Sequence, residues 1–265
     1  MEVHHPHHPT HKKKWAEYIT EFIMLFAAVS LGFLAENIRE SYVEKERAHE
    51  LVLSFMKDVE LNVQFLDSLI DGDKRHLLKC DSIALYIVKT QKDIDLKYVY
   101  DIPLHSFRYL SNNDTYDQMK SSGSLRYIKD TILLRKMIVY SNLSKATEFR
   151  SVVQEYDYTA NEFQNTLNRY KPIEIAANYH AKQILNYGDR YVGNSSDKIF
   201  FTETSELTKG KIFILPNENI KQFKNEVVPV IYRRTALIMS TMNFMHSTRN
   251  ASKDILQYYK EHNQH

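Results

Sequence analysis

Residues Tyr18–Ala35, YITEFIMLFAAVSLGFLA, constrain this chain more than any other stretch. From Phe22 to Ala35 no residue is charged, and widening the window to Tyr18 admits only Glu21. A bilayer core of ~30 Å takes about 20 apolar residues as a helix, with about 17 as the floor. The segment meets that floor, but so would a buried helix of a soluble domain, and the flanks must decide. Trp15 and Tyr18 stand where an interfacial aromatic belt would, and Lys12, Lys13 and Lys14 lie just outside it. A cleaved signal peptide fits less well: its best exit, Gly32-Phe33-Leu34-Ala35, puts Phe where a small residue is required. The expectation is an uncleaved transmembrane helix over 15–35, in contact with the lipid bilayer.

The triple lysine sets the orientation, with the N-terminus in the cytoplasm and the rest of the chain facing outward. The predicted organisation is a His/Lys-rich cytoplasmic tail (1–14), the transmembrane helix (15–35), a helical domain (36–260) and a disordered tail (261–265). Ala28 and Gly32 form a small-xxx-small pair, with Ala35 and Glu21 on the same side. That spacing lets two helix backbones approach, so self-association through Ala28, Gly32 and Ala35 is expected of this face.

Beyond the anchor the composition is that of an ordinary soluble protein, with 43% hydrophobic and 26% charged residues overall. A net charge of +2 argues against nucleic acid as a partner, since such binders concentrate basic charge. Six Gly and six Pro in 265 residues leave few interruptions, which suits long helices. The single cysteine, Cys80, has no intramolecular partner and reads as a buried small hydrophobe. His4, His5, His7, His8 and His11 could attract Zn, Ni or Cu. Pro6 and Pro9 keep a helix from organising them and no Cys, Asp or supporting partner accompanies them, so a polar tail without a metal site is expected.

Apolar residues then recur every three to four positions: Ala48, Leu51, Val52, Phe55, Val59, Val63, Leu66 and Leu69/Ile70. This predicts a stalk helix over 36–70, a turn at Asp71-Gly72-Asp73, and a second helix capped by Asp73 and running to Thr90. Its core side would be Leu77, Cys80, Ile83, Ala84 and Ile87. Further on, Asn113 or Asp114 should cap a short helix that Gly123 ends in the left-handed conformation. A long helix over 130–170 would carry Ile132, Leu133, Met137, Val139, Tyr140, Leu143, Phe149, Val153, Tyr156, Phe163 and Leu167.

Residues 113–128 hold the most distinctive local pattern, TYxxMKSSGxLxxI, and the anchor ends in Glu36-Asn37-Ile38-Arg39-Glu40. In both segments the chain resembles a family of bacterial single-pass membrane proteins of unknown function. The resemblance covers the anchor and 113–140 and implies an anchored helical domain, here in the inner membrane with its C-terminal domain in the periplasm. It carries no reaction, ligand or catalytic residue.

Tyr116-xxx-Lys120 has the spacing of a proton-transfer pair, and Ser121 or Ser122 is a conceivable nucleophile. Neither a glycine-rich dinucleotide turn nor a nucleophile elbow accompanies them, and cap and turn chemistry accounts for every residue type. No catalytic, cofactor-binding or metal site is therefore predicted, and the chain is read as not an enzyme. His180 stands alone, without a ligand-spaced partner. Residues 186–216 are the irregular region best suited to a ligand loop, and Ile199–Thr202 with Lys211–Leu215 could pair as a small β-hairpin within 199–215. A last long helix is expected over 228–259, with Pro229 near its start, Ile231, Leu237, Ile238, Met242, Met245, Ile255 and Tyr258 as its apolar stripe and Met239, Met242 and Met245 as core filler.

The sequence therefore predicts an all-α protein, in which an N-terminal transmembrane helix continues into an antiparallel helical bundle outside the cytoplasm. Two functions fit that architecture. One is a membrane-tethered binding or sensing module for a protein or small molecule; the alternative is a structural or assembly component of a cell-envelope complex.

Overall fold

The computed structural model describes residues 15–103, 107–177 and 208–262. These form an all-α protein, with no strand among the described residues. They fall into two compact units, one of residues up to Leu53 with Gln118–Lys129, the other of Ser54–Asp117 with Asp130 onward. Helix α1, Trp15–Lys89, is 75 residues long and belongs to both.

In the first unit α1 begins with the apolar stretch, which is long and apolar enough to cross a membrane and has none of its window buried. Phe22, Leu25 and Phe33 are each at least two-thirds exposed. Small residues line this helix too, and a Cβ added at Gly32 would meet nothing within 4 Å. At the end of α3 (Asp114–Ser122), Gly123 takes φ 75° and leads into a 3-10 turn, Ser124–Tyr127, as the sequence predicted. Open space surrounds it, so the left-handed backbone alone calls for glycine. The Ser122 hydroxyl is engaged locally, 2.8 Å from the Ser124 hydroxyl and 3.3 Å from the Met119 carbonyl.

The second unit is built on three long helical runs. The first is α1 from Ser54 to Lys89. Phe55, Val59, Leu66, Leu69, Ile70, Cys80, Ile83, Ala84 and Ile87 are buried along it, on the stripe the sequence showed. The expected turn at Asp71-Gly72-Asp73 does not occur, because one glycine costs a helix only about 1 kcal/mol and both neighbouring turns bury apolar side chains. Gly72 serves a close approach instead: a Cβ there would lie 2.5 Å from the ring of Phe107, which stacks on His76 with centroids 4.6 Å apart. After α1 comes the single turn α2, Leu96–Val99, capped by the Asp95 carboxylate.

The second run is continuous from Thr131 to Asn168. It comprises α4 (Thr131–Phe149), a π turn (Arg150–Gln154), α5 (Glu155–Tyr158), a second π turn (Thr159–Phe163) and α6 (Gln164–Asn168). Asp130 caps it, accepting from the Ile132 and Leu133 amides at 3.0 and 2.9 Å.

The third run is α7, Ile220–His262, which starts eight residues before the predicted position and holds Pro229 in its interior. Proline there leaves the Asn225 carbonyl without its helical donor, a defect worth about 3 kcal/mol. Burial of Phe223, Val227 and Ile231 on either side offsets it. Helix α7 runs antiparallel to α4, with Lys136 paired to Asp254 and the Thr147 and Thr248 hydroxyls 2.7 Å apart.

The hairpin expectation resolves differently. Its first arm, Ile199–Thr202, lies outside the described residues, while the second pairs with the segment before α2. Leu96 donates to the Phe213 carbonyl at 2.7 Å and Leu215 to the Ile94 carbonyl at 2.9 Å. The sequence predicts a short helix over 173–185 after Pro172; residues 173–177 are helical, and 178–185 lie outside the described residues.

Candidate functional site

Along the second run the buried positions include Thr147, Ser151, Glu155, Thr159 and Phe163, spaced four apart throughout. In an α-helix each step of four overshoots a full turn by about 40°, so four steps would carry the last side chain most of the way to the opposite face. The two π turns, each holding one residue more per turn, absorb that drift and keep all five positions inward. Ile132, Val139, Phe149 and Val153 are exposed on the other side, and the helix turns a row of hydroxyls and one carboxyl toward the core.

That carboxyl, Glu155, meets two more charged side chains. Asp73 comes from α1 and Arg234 from α7, and all three residues are fully excluded from solvent. The Arg234 guanidinium lies over the Phe163 ring, 4.5 Å from its centroid, and donates through Nη1 to the Pro103 carbonyl. Both Asp73 carboxyl oxygens are buried without a hydrogen-bond partner. Burial, and then the neighbouring Glu155, push the Asp73 carboxyl up to about 8 against the pull of Arg234. Burial likewise raises Glu155 to about 7, while Arg234 and the Thr241 hydroxyl favour its ionised form. Cys80 sits in the same field: it is buried as expected, and its thiol is pushed up by desolvation.

Beside this cluster the segment before α3 is held as an extended strap. Asn62 accepts from the Asn112 amide and donates to the Asn112 carbonyl, both at 3.0 Å. The amide of Tyr109 donates to the Ser151 hydroxyl at 3.0 Å, and its phenol oxygen lies 2.9 Å from that of Ser144. Asn113 precedes α3, but its side chain turns inward to donate to Ser111 and Ser144 rather than capping the helix.

Sequence reasoning did not find the cluster. Asp73 was read as a cap, and Glu155 and Arg234 were passed over. A signal existed in Arg234, which stands three residues after Ile231 and four before Ile238, on the apolar stripe of α7. Of the residues weighed for chemistry, Tyr116 is buried against Phe55, with centroids 6.0 Å apart, and Lys120 is exposed. The histidine-rich tail and His180 lie outside the described residues, as does most of 186–216. Among the described residues, no group of three or more His, Cys, Asp or Glu side chains is placed to hold a metal ion. The cluster's two carboxyls can take up and release protons, while Arg234 stays cationic, and all three side chains are excluded from solvent. No protein-family model, curated protein or solved structure matches this chain.

Proposed function

We propose that the chain is a membrane-anchored sensing module and not an enzyme. Its apolar segment crosses the inner membrane once, with Lys12–Lys14 on the cytoplasmic side and the helical bundle in the periplasm. The observation that carries this reading is the continuity of α1. One unbroken helix bears an apolar stretch with no buried residue at its start and delivers Asp73 to a buried charged cluster further along. An apolar surface that none of the described residues buries needs another cover, and lipid tails supply one. The resemblance to bacterial single-pass membrane proteins supports the same reading.

A reporter enzyme fused at His265 tests the topology. Activity is expected only from a reporter that works outside the cytoplasm; activity confined to a cytoplasmic reporter would overturn it. The second reading, an assembly component, is favoured by the exposed stripe of Ala28, Gly32 and Ala35, through which two copies could pack.

A further inference from the structure

Three long helical runs each place one charged side chain in the same water-free region: Asp73 from α1, Glu155 from α5 and Arg234 from α7. With both carboxyls ionised the cluster would hold one net negative charge. Charge buried without compensation costs several kcal/mol or more, so such sites change protonation instead. Among the described residues Arg234 is the cation that acts on both acids, and it also serves the Pro103 carbonyl. Among the described residues, its other titratable neighbours include Cys80 on α1 and Tyr158 on α5, neutral hydrogen-bearing groups that bring no positive charge. His76, one turn along α1, stacks on Phe107, and Arg233 on α7 pairs with Glu162 at the exposed surface.

We propose that Asp73 and Glu155, held against Arg234, form a proton-binding site, and that the proton is the ligand the module senses. The second clause rests on the sensing reading; the first stands on the cluster alone. Because burial raises both acids above the ordinary carboxylate range of about 4, and Glu155 raises Asp73 further, the folded chain holds protons that the unfolded chain has released. Stability from this source is full below pH ~4 and is lost as pH rises through about 7 and about 8.

The test is denaturation of the full chain in detergent at a series of pH values from 5 to 9, for the wild type and for Asp73→Asn combined with Glu155→Gln. Between pH 5 and 7 the wild-type slope should exceed that of the double variant by about one proton or more. Equal slopes would overturn the site. If the double variant fails to fold, infrared spectroscopy of the wild type at pH 6 decides, with a protonated carboxylic-acid band expected and its absence contradicting the proposal. Neither readout depends on topology, so a cytoplasmic reporter at His265 would remove the sensing reading and leave the proton site standing.

Discussion

Arg234→Met should destabilise the bundle by about 3–5 kcal/mol, the usual cost of removing one partner from a buried ionic group. Methionine fills a similar volume, so the loss isolates the charge and its hydrogen bonds rather than a cavity. Two consequences add together: the Pro103 carbonyl loses its donor, and Asp73 and Glu155 lose the cation that offsets them. Both carboxyls must then stay protonated to remain buried, so the loss should deepen as pH rises. Urea denaturation followed by circular dichroism measures it. Adding Asp73→Asn and Glu155→Gln to Arg234→Met should return part of the loss, because residues in one network do not contribute independently. A full loss in the triple variant would mean that packing, and not charge, makes Arg234 necessary.

The second large effect concerns the anchor. Leu25→Arg with Val29→Arg places two charges on one face of α1, four residues apart, in the middle of the apolar stretch. Each costs about 2.5–3.5 kcal/mol at the centre of a membrane helix. The segment is close to the minimum spanning length and has little apolar surplus to offset that. The doubly substituted chain should leave the pellet of carbonate-washed membranes, whereas Leu25→Ala with Val29→Ala should stay. Retention of the arginine variant would mean that something other than this helix holds the protein there.

The all-α class and the inward stripes of α1 and α7 were legible because three-to-four spacing states them directly, although Met239, expected in the core, lies off the stripe and is exposed. Gly123 was legible because a left-handed residue between two helices has one cheap occupant. The turn expected at Asp71-Gly72-Asp73 failed because those residues also suit a turn, and only the packing of Phe107 over Gly72 shows that the helix continues. Pro229 misled in the same way: local chemistry marks a start, and burial on both sides carries α7 through it. The face of the second run was the hardest to see. Its inward row repeats every four residues, a period that suits neither an α-helix nor a strand, and only the π turns make it one face. Glu155 was missed for that reason. Reading Ile132, Val139, Phe149 and Val153 by hydrophobicity pointed to the wrong side.

The central claim is that lipid surrounds the start of α1, and cysteine scanning tests it most directly. In a Cys80→Ser background, single cysteines from Ile19 to Leu34 are treated in intact membranes with a water-soluble maleimide. Protection at every position around the helix is predicted, with reactivity resuming by Glu40. Protection that recurs every three to four positions, with reactive residues between them, would show a helix packed on protein with one side in water, and would contradict the account.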